Sequence, residues 1–158
     1  MRIGLAVPSE VESIKQHACQ AMEEGTLYRT RRLSEERVQD LTEKVLERGG
    51  EHWVATEGEE LLGWILIGPH RDFFSDEAIG FIYELYVFPD HRGKGLGEKL
   101  MKTALQQLQA KGYQEIRLNV FAGNPATHLY RKLGFTERQV MMGRQLVSNP
   151  YADNRNQT

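Results

Sequence analysis

The stretch "AIGFIYELYVFPDHRGKGLGEKL", Ala78 to Leu100, opens as a strand, breaks at Pro89, passes three glycines and enters a helix. Its first part, Ala78 to Phe88, is long, aromatic and β-branched, the composition of a central strand. Pro89 cannot donate to a ladder and stops it. Beyond the loop, Leu96, Leu100, Ala104, Leu105 and Leu108 share one stripe at helical spacing, and Gly112 closes the helix. A loop that leaves a strand and enters a helix aims several unpaired backbone N–H groups at one point, with the positive end of the helix dipole behind them. Gly93, Gly95 and Gly97 remove the Cβ atoms that would hold a pyrophosphate away, and Arg92 and Lys94 add charge. Leu96 and Glu98, in the first helical turn, complete a candidate anion-binding set.

Glycine and charge alone would also fit a flexible turn that caps a helix. A dinucleotide fingerprint needs GxGxxG, but the third position holds Glu98 and the spacing is GxGxG. The P-loop pattern GxxxxGK[ST] is absent.

Working outward, "EIRLNVF" reads as the strand that completes a crossover, parallel to the first. "AGNPATHLYRKLGF" follows with a helix signature: Asn124 as N-cap, Pro125 at the first helical position, Gly134 past the end. A final strand is expected from Phe135 to Leu146. Upstream, "HWVATE" and "LLGWILIG" form a hairpin around Gly58 to Glu60, and the loop "GPHRDFFSDE" leads to Ala78. Ser34 caps a helix carrying Val38, Leu41 and Val45 and ended by Gly49 and Gly50. Ser9 and Glu12 have capping-box spacing ahead of Val11, Ile14, Ala18 and Met22, a helix that runs to Gly25. The first residues hold only a short apolar run. The order is two helices, a hairpin, then strand, helix, strand, helix, strand, which predicts a mixed α/β sheet covered on both faces. Residues 1–147 read as a single domain and residues 148–158 as a polar C-terminal tail.

At 158 residues and 40% hydrophobic content, the chain is long enough to bury a real core. Formal net charge is -2, from 20 Lys and Arg against 22 Asp and Glu, so nothing suggests a nucleic-acid partner. Cys19 is the only cysteine, which excludes an internal disulfide and fits a reducing compartment. No apolar run approaches the roughly 20 residues that span a bilayer, and no signal peptide opens the chain. A cytoplasmic protein without a membrane partner is expected. His52, His70, His91 and His128 lack a paired ligand spacing, so no metal is assigned.

"RGKGLG", Arg92 to Gly97, resembles the [QR]-x-x-G-x-[GA] acetyl-CoA loop of the GNAT superfamily of N-acetyltransferases, and "NPATHLYRKLGF", Asn124 to Phe135, is similar to that family's N-x-x-A-x-x-L-Y-x-x-x-G-F segment. "FIYELYV" and "LNVFAGN" also look like small bacterial members whose substrate is unassigned. The resemblance implies a largely antiparallel sheet with a splayed parallel pair at its centre. It implies acetyl-CoA as co-substrate, a small-molecule or peptide amine as acceptor, and direct attack in a ternary complex. A non-catalytic acyl-CoA sensor would carry the same loop, and because some members dimerise a homodimer stays open.

Acetyl transfer needs a neutral amine, yet a lysine-type amine is neutral only about once in a few thousand at pH 7. Glu84 is the single charge in Phe81 to Phe88, placed by strict alternation on a face with Ile82, Tyr86 and Phe88. A lone carboxylate there is either paired with the hairpin or Arg117, or it is the general base. Removing such a base is expected to matter most at low pH, where the amine is hardest to deprotonate. By resemblance, Tyr130 protonates the departing thiolate, Asn124 touches the pantetheine arm, and the backbone of Tyr86 and Val87 offers it sheet-like hydrogen bonds. The N–H of Val87 would polarise the acetyl carbonyl. "YRTRR", Tyr28 to Arg32, reads as a solvated turn or as part of an acceptor site, and the loop with Phe73 and Phe74 as a lid or a hairpin connection.

Overall fold

A computed structural model describes residues 1–148. Five strands form one sheet in the order β1 (Arg2–Leu5), β2 (Glu51–Glu57), β3 (Glu60–Arg71), β4 (Ala78–Val87), β5 (Ile116–Leu118). Neighbours are antiparallel except β4 and β5, which are parallel. Helix α1 (Pro8–Gly25) and helix α2 (Glu35–Glu47) cover one face; α3 (Leu96–Ala110) and the short α4 (Thr127–Lys132) cover the other. This is the expected mixed, largely antiparallel α/β fold with helices on both faces. Among the described residues, no helix is long and apolar enough to cross a membrane.

Of the stripe read on α3, Leu96, Leu100, Ala104 and Leu108 are buried and lie, together with Met101, against Ile65, Ile67 and Ile82 of the sheet, whereas Leu105 is only half-buried. Burying a leucine-sized side chain contributes about 1.5 to 3 kcal/mol, so this layer anchors the crossover that carries the glycine loop. On the opposite face, Trp64 and Tyr86 pack with Val54 and with Ile14 and Ala21 of α1. Ser34 caps α2 as expected, accepting the N–H of Arg37 at 3.1 Å.

Several local expectations are corrected. The opening apolar run is a strand, with Arg2 opposite Thr56 and Leu5 opposite Trp53. Helix α1 starts at Pro8, ahead of the Ser9 and Glu12 pair, because Glu10 accepts the N–H of Val7 at 2.9 Å. β3 runs on through Arg71, which shortens the loop after it to residues 72–77. β5 keeps only three residues of "EIRLNVF". The strand expected from Phe135 to Leu146 does not form within the described chain. Of the expected tail, all but Ser148 lies outside the described residues.

The most consequential correction concerns β4. Leu66 is paired with Glu84 and Ile67 with Ile82, so Tyr83 is an extra residue opposite no partner. Such a bulge shifts the alternation by one. Ile82 therefore joins the α3 face, whereas Glu84 joins Trp64 and Tyr86 on the α1 face.

Candidate functional site

From Gly93 to Glu98, six consecutive backbone N–H groups meet no acceptor among the described residues; the next, Lys99, donates to Gly95 O at 3.1 Å. Gly93 and Gly95 adopt φ of 77° and 80°, the left-handed region that turns successive amides toward one side. Gly97 lies where α4 packs on the start of α3: a Cβ there would stand 3.4 Å from Leu129 Cδ2, an ordinary contact. Lys94 is exposed and has no ion-pair partner among the described residues. Leu96 is buried, and Glu98 pairs with Lys102 and Lys132, so both offer the loop only their amides. Gly95→Ala should cost about 1 kcal/mol for the left-handed backbone alone, read as a lower denaturation midpoint; an unchanged midpoint would show that the turn relaxes freely.

Beside this loop the sheet opens. The β4–β5 ladder pairs Gly80 with Ile116, Phe81 with Arg117 and Ile82 with Leu118, and β5 stops there while β4 continues to Val87. Phe88 donates to Leu62 O of β3 at 3.0 Å, which fixes the alternation: Phe88 and Tyr86 turn their backbone toward β3, Val87 and Leu85 toward the gap. Val87 O accepts from Arg92 Nε at 2.8 Å on that open side. The expectation for the Val87 backbone thus meets an open edge. That for Tyr86 does not, because its amide and carbonyl face a paired strand.

Arg92 also lies differently from its reading. Its guanidinium turns back from the glycine loop, 2.5 Å from Glu24 Oε2 on α1 and 5.4 Å above the Tyr86 ring. It ties the end of β4 to the end of α1. Glu24 completes the tie by accepting from the Tyr86 hydroxyl at 3.4 Å. Sequence reasoning missed Glu24, which sits on a helix with no marker of a partner 68 residues away.

Glu84 is enclosed by protein but keeps some solvent contact, and its carboxylate accepts a short hydrogen bond from the indole N–H of Trp64. Arg117 does not reach it, being engaged by Asp72 and Glu115. Burial pushes the Glu84 carboxyl up to about 7, against the opposing pull of the Trp64 hydrogen bond. Trp64 was read only as a strand residue; its position two residues from Leu66, on the face of Glu84, is the signal that could have found it.

Tyr130 packs against the α3-face core, with its ring 6.2 Å from Phe135. Its hydroxyl has no hydrogen-bond partner among the described residues, and burial raises its pKa above the usual phenol range, which keeps the proton on. Asn124 closes the turn ahead of α4, accepting from Ala126 N at 3.0 Å, and its amide reaches Gly25 O at 3.4 Å. Leu27 and Tyr28 both hold positive φ, 54° and 56°, and a Cβ at Gly123 would lie 3.4 Å from Arg29 Nη2. The loop after α1 therefore contacts the β5–α4 loop and, through Glu24, the end of β4. Glu84 and Tyr130 belong to opposite faces of the sheet, with the gap between the two faces. The Phe73 and Phe74 turn lies at the other end of β4, roughly 30 Å along the strand from Val87.

Residues 15–135 match the profile of the Acetyltransferase (GNAT) family. A mycothiol acetyltransferase of Catenulispora acidiphila is 34% identical over 115 residues, 69% of this chain and 36% of that protein. N-acetyltransferase 8F1 of Rattus norvegicus is 31% identical over 97 residues, 61% of this chain and 44% of that protein. The chain thus spans less than half the length of these two curated relatives. Among solved structures, a putative acetyl transferase from Pyrococcus furiosus superimposes with a TM-score of 0.72 at 27% identity, covering 92% of this chain and 100% of that one.

Proposed function

Because the chain belongs to the acetyltransferase (GNAT) family, we propose that it transfers the acetyl group of acetyl-CoA to a primary amine by direct attack in a ternary complex. The observation that carries this reading is the run of six amides without acceptors, Gly93 to Glu98, beside the open edge of β4. A diphosphate is the anion whose length and charge suit a left-handed glycine turn at a helix start. When bound, coenzyme A would supply the activated thioester.

The residues would divide the work as follows. The amides from Gly93 to Glu98, with Lys94, hold the diphosphate. The Val87 N–H, on the open edge, takes the place of a missing strand partner and polarises the acetyl carbonyl. Glu84, on the α1 face, accepts the amine proton directly or through water, and Tyr130, on the α3 face, gives a proton to the departing sulfur. Arg92 serves as a strut between β4 and Glu24. Placing both reactants across one gap supplies much of the rate, without a covalent enzyme intermediate. The acceptor enters between the loop after α1 and β4; a small-molecule or peptide amine fits that position, and neither nucleic acid nor a membrane is required. The lone Cys19 supports a cytoplasmic setting.

The reading is tested by thermal shift. Acetyl-CoA at a hundred times its dissociation constant should stabilise the fold by about 2.7 kcal/mol, a rise of about 5 to 10 °C for a domain of this size. NAD and ATP should give no rise. An unchanged midpoint with acetyl-CoA sinks the proposal, and binding without thiol release across a panel of amines favours the acyl-CoA sensor.

A further inference from the structure

Trp64 is wholly buried, yet its indole N–H donates to Glu84 Oε1. The register explains the reach. Trp64 stands opposite Tyr86 and Leu66 opposite Glu84, so the indole meets a diagonal neighbour across the β3–β4 pair. Packing holds the ring in place: the Tyr86 and Phe88 rings lie 4.8 and 5.8 Å from it, and Val54 and Ile14 belong to the same cluster. Glu84 Oε2 makes no hydrogen bond among the described residues, and Glu84 keeps some contact with solvent. The carboxylate thus has one oxygen held and one oxygen free. No other group competes for it. His17 and Glu24 on α1, Arg48 just past α2, His52 on β2, and Tyr83, Tyr86 and Arg92 on or after β4 are the titratable or charged groups that reach this layer. Among the described residues none of them makes a hydrogen bond or ion pair with Glu84.

We propose that Trp64 is the positioning residue of the base: its N–H fixes Glu84 Oε1 and leaves Oε2 as the one oxygen that takes the amine's proton, directly or through water. This rests on the acetyl-transfer reading. The proton leaves the ammonium nitrogen, frees the lone pair that attacks the thioester, and passes from Oε2 to solvent after transfer. An indole nitrogen donates and never accepts, so Trp64 cannot take that proton itself. It holds the carboxyl in one orientation before and after the step. A donor fixed by packing before the substrate arrives needs no reordering when the proton moves. The bond also favours the ionised form. Burial alone would push the carboxyl higher still, and the Trp64 hydrogen bond opposes it, which keeps a usable fraction of base near neutral pH.

Proton NMR of the wild-type chain tests the contact without turnover. The chain has two tryptophans and therefore two indole N–H signals. The Trp64 signal should move between pH 5.5 and pH 8.5 with a single midpoint near 7, and Glu84→Gln should stop the movement. Trp53 is the control. It donates to Glu51 at 3.0 Å, and although burial pushes the Glu51 carboxyl up, the hydrogen bonds from Lys111 and Trp53 prevail and hold it below its ordinary range. Its signal should stay still over the same interval. In Trp64→Phe, the pH at which kcat/KM reaches half its plateau should rise by about one to two pH units. That is a loss of about five- to fiftyfold at pH 7, fading toward pH 10. An immobile Trp64 signal overturns the proposal, whatever the substitution does to folding. A Trp64→Phe profile lowered by the same factor at every pH also overturns it, and leaves Trp64 a packing residue. Should the Trp64 signal titrate in a chain that releases no thiol with any amine, the acetyl-transfer reading fails while the contact stands, so the two failures are told apart.

Discussion

Tyr130→Phe should lower kcat by about two orders of magnitude while leaving the acetyl-CoA dissociation constant within about twofold. The phenol ring packs with Phe135 and the α3-face core, and phenylalanine preserves that packing. Only the hydroxyl goes, and it has no hydrogen-bond partner among the described residues to strand. A loss in kcat would therefore report on the proton it delivers. Burial raises its pKa, so the hydroxyl stays protonated across the working range and is available to donate to the sulfur as the C–S bond breaks, solvent then restoring the phenol proton. The measurement is steady-state turnover by thiol release, alongside acetyl-CoA binding by calorimetry. Wild-type kcat removes the acid role; a matched loss of affinity would make Tyr130 a wall of the coenzyme site.

The parts of this arrangement that a sequence shows best are those fixed by local chemistry. Pro89 ends β4, two left-handed glycines make the turn, and the leucine stripe buries α3; each depends on neighbours within a few residues. β1 was missed because its four residues earn their place only by pairing with β2, some 50 residues away. The face of Glu84 was legible only in part. Period-two alternation puts it with Tyr86 correctly, but no single residue announces the bulge at Tyr83, so Ile82 was placed on the wrong side. Arg92 looked like a phosphate ligand because sequence shows its charge and not Glu24, which holds it. The segment after Phe135 has the composition of a strand, and composition cannot say whose edge a strand will use.

Glu84→Gln separates a base from a structural carboxylate by the pH at which it hurts. With Glu84 pushed up to about 7, the carboxylate is ionised only above neutrality, so it serves as a base there and fades below. The effect of the substitution should be largest above pH 7, a loss of about 10² to 10³ in kcat/KM. The two profiles should then approach each other by about tenfold per unit as pH falls below 7. This reverses the expectation drawn from the amine alone, because the base itself takes up protons first. Stability gives an independent check. An unfolded glutamate titrates near 4.5, so its burial costs nothing below that pH; the cost grows as pH rises from there to about 7 and is constant above it. Gln carries no charge and can still accept from Trp64. The variant should be more stable than wild type at pH 8, by on the order of 3 kcal/mol at most, and equal to it near pH 4. A constant activity ratio from pH 6 to pH 9 would reduce Glu84 to a structural group, and equal melting points at pH 8 would show that its carboxylate is not desolvated at all.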